Sequence, residues 1–212
     1  MTFSIVAHSP EQQAWGVAVA TKSLAVGAMV PAAEFQTGAL ATQAWTNMSY
    51  REVGLALLRA GFDAAEVVAE LFDRDPDSAT RQIGVVDRNG VAVSRTGPEC
   101  LAFAGGLTDD GCAIQGNLLT GPEVLEAMHE AWSTSDVSEP LAARLLEVLA
   151  AGDDAGGDRR GRQSAALYVV GRGQAIGHGS RVLADLRVDD APRPVDELQR
   201  LFKILSDQME AS

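Results

Sequence analysis

The order in which strand-like and helix-like runs arrive limits this fold more than any other feature. Residues 3–8 and 15–20 are apolar runs joined by His8-Ser9-Pro10-Glu11-Gln12-Gln13, a polar turn, and so predict a β-hairpin. The second run, Trp15-Gly16-Val17-Ala18-Val19-Ala20, is almost all small or β-branched, which suits a strand buried on both faces. A small-residue loop over 24–31 leads to a third strand over 37–45. Helical spacing follows over 50–60, with Val53, Leu57 and Leu58 on one side and Gly61 as terminator. Asp63 with Glu66 three residues on is a capping box for a second helix, whose stripe is Val67, Val68 and Leu71 and which stops near Asp75-Pro76. Asn89-Gly90 between 81–86 and 90–96 predicts another hairpin. Short strands over 101–106 and 112–115 precede helices opened by Pro122 and Pro140. A loop over 152–161, strands over 164–170 and 183–188, and an amphipathic helix over 195–209 complete the chain.

Groups of strands alternating with helix pairs argue for an α+β architecture and not a doubly wound sheet. The chain of 212 residues can bury one large core, and no stretch reads as an interdomain linker, so a single domain over 1–212 is expected. Aromatic residues make up only 5%, which leaves the core to Ala, Val and Leu. A net charge of −12 repels phosphate backbones and anionic lipid, so neither nucleic acid nor membrane is an expected partner. Two cysteines, Cys100 and Cys112, predict no disulfide framework, and no apolar run approaches ~18 residues. A cytoplasmic protein is the expectation.

Chemistry is concentrated in a few places. Thr2 follows Met1 directly, and removal of Met1 would leave a residue with a hydroxyl and a free α-amine on one backbone unit. A terminal amine can act as the general base for its own hydroxyl, which makes threonine a useful nucleophile. Gln43 and Asn47 lie in a polar cluster after the third strand, and Gln115, Gly116 and Asn117 form another; either cluster could supply oxyanion donors or could simply cap turns. Asp158, Arg160, Arg162 and Ser164 form a third constellation beside the glycine-rich loop. Its arginines suit a substrate carboxylate, and its aspartate suits the terminal ammonium or Ser164; a solvated loop is the alternative.

Three histidines, His8, His129 and His178, share no ligand spacing, so no metal is expected. No Gly-x-Ser-x-Gly elbow and no strand-borne Gly-x-Gly-x-x-Gly occur, which removes the serine-hydrolase elbow and a dinucleotide cofactor. No cofactor is expected.

Thr2, the strand Gly16-Val17-Ala18-Val19-Ala20 with Thr21-Lys22-Ser23 after it, Gln115-Gly116-Asn117 and the stretch from Asp158 to Ser164 resemble the DUF1028 family, which is grouped with the N-terminal nucleophile hydrolases. The resemblance covers nearly the whole chain. It implies a four-layer αββα sandwich and an N-terminal-threonine hydrolase cleaving a C–N bond of a small, carboxylate-bearing molecule, with a homodimer as the expected assembly. Beside a proteasome-like pattern, Lys22 stands where an aspartate would be, a departure that leaves that pattern's charge relay untransferred; the expectation is that Lys22 itself holds the cationic role beside Thr2. The competing reading is a non-catalytic small-molecule-binding protein that keeps the fold.

Overall fold

The computed structural model describes residues 2–177 and 180–211. Met1 and His178 lie outside the described residues. Strands β1 (Thr2–Ser9) and β2 (Ala14–Thr21) pair antiparallel from Phe3 opposite Ala20 to Ser9 opposite Ala14, the expected hairpin. Side chains alternate across a strand, so Phe3, Ile5 and Ala7 face one way while Ser4, Val6 and His8 face the other. Every residue of β1 is buried, so both faces are covered.

This hairpin is the centre of a six-stranded antiparallel sheet in the order β10-β9-β2-β1-β8-β7. Its other members are β7 (Gly105–Asp109), β8 (Cys112–Asn117), β9 (Ser164–Gly171) and β10 (Val182–Val188). A second antiparallel sheet runs β3-β4-β5-β6, built from β3 (Pro31–Glu34), β4 (Gly38–Ala44), β5 (Arg81–Asp87) and β6 (Ala92–Thr96). Among the described residues five α-helices complete the α+β fold: α1 (Ser49–Ala60), α2 (Ala64–Arg74), α3 (Glu123–Thr134), α4 (Leu141–Asp154) and α5 (Pro194–Glu210).

Apolar burial falls into three clusters. Phe3 and Ile5 of β1 pack with Met128, Leu145 and Leu149 of α3 and α4, and with Leu198 of α5. Leu40 and Ile83 of the smaller sheet pack with Leu58, Val67 and Leu71 of α1 and α2. Between them, Val6, Val17 and Val19 meet Ala39, Ala41 and Val86, so the two sheets touch through small side chains. Among the described residues no helix is long and apolar enough to cross a membrane.

Four details depart from the sequence expectations. Strand β3 occupies the end of the stretch read as a loop; it is an edge strand, where the missing N–H of Pro31 removes no ladder bond. The buried stripe of α1 is Tyr50, Gly54 and Leu58, and Val53 is exposed. Gly54 belongs to that stripe because a Cβ there would lie 2.5 Å from Leu40 Cδ2; the helix approaches β4 closely at a residue that apolar counting ignores. Strand β7 starts at Gly105, not Leu101, since the turn at Asp110-Gly111 sets Asp109 opposite Cys112 and the pairing runs back from there. Finally, α4 continues through Gly152 to Asp154, where a Cβ on Gly152 would lie 2.7 Å from Met128 Cγ, so α3 and α4 close on a glycine that composition alone assigns to a loop.

Asp75, at the end of α2, ties several of these elements together. Its carboxylate accepts from Arg81 Nε, Asn47 Nδ2 and Tyr50 Oη, all at 2.9 Å. The Arg81 guanidinium holds the Asp75 carboxyl well below the usual carboxylate range, with Asn47 and the Asp77 amide assisting against burial. Burial, then the Asp75 hydrogen bond, pushes the Tyr50 phenol up. A carboxyl whose folded pKa is depressed stabilises the fold above its unfolded pKa, and that stability is lost as pH falls through the folded value. Asp75→Asn is therefore expected to lower unfolding free energy at pH 7 by about 3 kcal/mol. The gap from wild type should shrink below about pH 4 as the wild-type carboxylate is protonated in the unfolded state. Urea denaturation at pH 7 and pH 3 reads both effects.

Candidate functional site

The inward face of the larger sheet becomes polar at one end. Thr2 stands opposite Asn117 on β8, and Thr21 opposite Ser164 on β9, which lines up hydroxyls and an amide across four strands. Thr2 Oγ1 donates to Thr21 Oγ1 at 3.3 Å. One pair further along, Ser4 faces Gln115. The smaller sheet answers with Gln43 on β4, paired with Gln82 on β5, which pairs with Thr96 on β6.

These groups form one buried network between the sheets. Ser4 Oγ donates to Gln43 Oε1 at 2.7 Å and receives Gln115 Nε2 at 2.7 Å. Gln43 Nε2 lies within hydrogen-bond reach of Gln82 Oε1 (2.8 Å), the Thr2 carbonyl (3.2 Å) and the Gln115 carbonyl (3.3 Å). Gln82 is the hub: its Oε1 also accepts Asn117 Nδ2 at 2.9 Å, and its Nε2 reaches the Gly116 carbonyl and Thr96 Oγ1, each at 2.8 Å. Among the described residues Gln115 Oε1 has no partner, and it lies against Gly84, where a Cβ would come within 2.0 Å of it. Only glycine leaves room there for the amide. Buried polar groups left unpaired are costly, so a nearly saturated network holds Thr2 in one place.

The loop after α4 closes the same end. Asp158 is buried, bridges to Leu119, and accepts the Lys22 backbone N–H at 2.6 Å and the Arg160 N–H at 2.9 Å. Arg160 Nη2 also lies 3.1 Å from Asp158 Oδ2. The Lys22 ammonium is on the surface, donating to the Arg162 carbonyl at 3.2 Å. Arg162 Nε binds Asp153 at 2.7 Å, and its Nη2 binds the Asp153 carbonyl at 2.9 Å. Burial pushes the Asp153 carboxyl up, and the Arg162 pair opposes that shift. Ser164 Oγ donates to the Ser23 carbonyl at 2.6 Å and accepts the Val26 N–H at 3.1 Å.

A cavity of about 280 Å³ opens beside this loop, lined by Ala44, Trp45, Leu101, Asn117, Leu118 and Arg160, with Cys100 at its wall. Ala44 (φ 70°) and Leu118 (φ 53°) are both left-handed, a conformation disfavoured for side chains with a Cβ. Each directly follows a buried amide of the network, Gln43 or Asn117, and turns the chain to the cavity wall. Strained backbone of this kind concentrates at binding and catalytic sites. Trp45 and Leu101, 68% and 61% exposed, put an apolar lip on the opening.

The structure thus brings together Thr2, Gln43, Gln115 and Asn117, and beside them Asp158 and Arg160. Arg162 and Ser164 are spent on holding the loop and the end of β9. Asn47 stands apart: its Oδ1 accepts the Ser49 N–H at 3.1 Å at the start of α1, and its amide serves Asp75. Ser4, Gln82 and Thr96 were not among the residues singled out in the sequence. The readable signal for Gln82 was a polar residue next to Arg81 at the start of a strand whose middle is apolar. Among the described residues no group of three His, Cys, Asp or Glu side chains could hold a metal ion.

Fold and site together define an α+β protein in which two antiparallel sheets enclose a polar network that ends at a small cavity. The chain belongs to DUF1028, a family of unknown function, whose model matches residues 2–198. A crystal structure of a DUF1028 protein from Silicibacter pomeroyi is similar over 95% of this chain and 88% of that one, at 34% identity and a TM-score of 0.85. Anbu (ancestral beta-subunit) from Yersinia bercovieri is a looser match, 10% identical with a TM-score of 0.41 over 99% of this chain and 97% of that one. No curated protein is similar in sequence.

Gln82→Leu strands the Asn117 amide, removes one of the three acceptors around Gln43 Nε2 and takes a donor from the Gly116 carbonyl. The expected loss is about 3 kcal/mol of unfolding free energy, from unpaired buried polar groups. Gln82→Glu keeps the Oε1 acceptor but buries a carboxylate against the Gly116 carbonyl and should lose at least as much. Chemical denaturation of both variants measures the difference.

Proposed function

We propose that this chain is an N-terminal-threonine hydrolase with the four-layer αββα sandwich of the N-terminal nucleophile hydrolases, cleaving a C–N bond of a small carboxylate-bearing molecule. The observation that carries the reading is the position of the Thr2 hydroxyl. It begins the central strand, in the polar row, opposite an asparagine that lines the cavity.

In this reading, removal of Met1 frees the Thr2 amine, which takes the hydroxyl proton as Oγ1 attacks the substrate carbonyl carbon. The tetrahedral oxyanion needs a donor. Asn117 uses one amide N–H on Gln82 and has a second to offer, since an amide nitrogen carries two. Gln43, with three acceptors around its nitrogen, fits a positioning role through the Thr2 carbonyl. Collapse of the adduct passes the proton to the leaving nitrogen and leaves an ester on Oγ1, which water then hydrolyses. Arg160 lines the cavity while keeping Asp158, and its half-exposed guanidinium suits a substrate carboxylate. Asp158 orders the loop through the Lys22 and Arg160 amides, and Lys22 acts beside Thr2 through the loop carbonyl its ammonium holds.

One observation favours the competing reading of a binding protein: Thr2 is only 6% exposed. The two separate cleanly. Protein with a mass-verified N-terminal threonine, screened against small amides, ureides and N-acyl amino acids, is expected to turn over at least one of them. Thr2→Ala should abolish that turnover with unchanged far-ultraviolet dichroism, and Lys22→Met should reduce it. Binding without turnover by the verified wild type would leave the binding protein as the answer.

A further inference from the structure

At the far end of β1 from Thr2, about 20 Å away at a strand rise of about 3.3 Å per residue, lies a second cavity. It has a volume of about 330 Å³, within the usual range for small-molecule sites, and is walled by three β-turns and the α3–α4 connection. Two of its lining side chains are deeply buried and poorly partnered. Arg144, 5% exposed, stacks its guanidinium on Trp132 at 4.1 Å and donates Nε to Ser135 Oγ at 2.9 Å. Among the described residues its terminal nitrogens have no acceptor and no carboxylate lies within ion-pair distance. His8, 9% exposed, stacks on Trp15 at 4.6 Å, and neither ring nitrogen has a hydrogen-bond partner among the described residues. Burial lowers the pKa of His8 against the pull of Asp87, Glu11 and Asp110, which favours the neutral ring.

The rim carries the opposite charge. Asp109 is engaged by His129 Nε2 at 3.1 Å, and Glu11 by Ser9 Oγ at 3.4 Å. Asp110, exposed in the β7–β8 turn, has no ion pair among the described residues. The terminal nitrogens of Arg144 open to the solvent of the cavity, where an anion can reach them. A simple anion, however, would meet three carboxylates at the entrance. A ligand carrying both charges satisfies both.

We propose that this cavity is a second binding site, separate from the Thr2 site, for a free α-amino acid. The ligand carboxylate takes the two terminal nitrogens of Arg144, the geometry a guanidinium offers a carboxylate. Its ammonium lies toward Asp110, and the neutral imidazole of His8 closes the polar wall between them. Nothing in this assignment depends on chemistry at Thr2.

The test is calorimetric titration of the full chain with the individual L-amino acids, with acetate and methylammonium as half-ligand probes. At least one amino acid is expected to bind, with acetate and methylammonium at least tenfold weaker. Binding should fall at least tenfold in Arg144→Lys and in Asp110→Asn and persist in Thr2→Ala. Asp110 is exposed, so its variant carries the test if Arg144→Lys does not fold. Absence of binding by every amino acid overturns the proposal. So does acetate binding as tightly as the amino acids, or binding lost in Thr2→Ala and kept in Asp110→Asn. Absence of hydrolysis by the wild type with a mass-verified N-terminal threonine, with this binding intact, would overturn only the enzyme reading.

Discussion

A glutamine amide buried between two sheets has to find partners for its nitrogen and its oxygen at once, and that requirement organises this protein. Gln82 satisfies it by reaching from the smaller sheet to the Gly116 carbonyl of the larger one while accepting the amides of Gln43 and Asn117. Apolar contact through Val and Ala holds the sheets at their usual spacing but says little about how one slides over the other. Directional hydrogen bonds do say it. Thr2 inherits its position from them, through the Gln43 bond to its carbonyl and its place opposite Asn117.

The two ends of β1 lie toward the two cavities, His8 in the lining of one and Thr2 paired with Asn117 at the wall of the other, and the contrast between them follows from what each end presents. The Thr2 end meets amides and hydroxyls, neutral groups that orient without adding charge, with the Asp158–Arg160 pair of the closing loop beside them. The His8 end meets turns carrying Glu11, Asp109 and Asp110, and a buried Arg144 beneath them. Small inter-sheet side chains leave the middle of the sandwich filled, so the two openings do not merge.

Much of the secondary structure was legible because local chemistry decides it. The Asp63–Glu66 capping box, the Gly61 stop and the Asn89-Gly90 turn each act within a few residues, and each stands where the pattern puts it. What was misread required contacts from afar. Apolar counting leaves Gly54 out of the buried side of its helix and composition assigns Gly152 to a loop, yet both are close-packing positions in the fold, because Leu40 and Met128 fill the space a side chain would need. The site divides in the same way. Thr2, Gln115 and Asn117 were visible as chemistry at strand ends, whereas Gln82 lies far along the chain from Thr2 and gains meaning only when β5 faces β8.

By itself, then, the sequence determined the element order, the α+β class, the polar termini of the strands and the family to which the chain belongs. Each of these rests on short-range preference or on residue identity. Tertiary structure alone decided that four amides and a serine share one network, that Arg162 and Ser164 hold a loop, and that Arg144 is buried with open donors. Those outcomes depend on two sheets stacking at one offset, a long-range choice that no local pattern encodes.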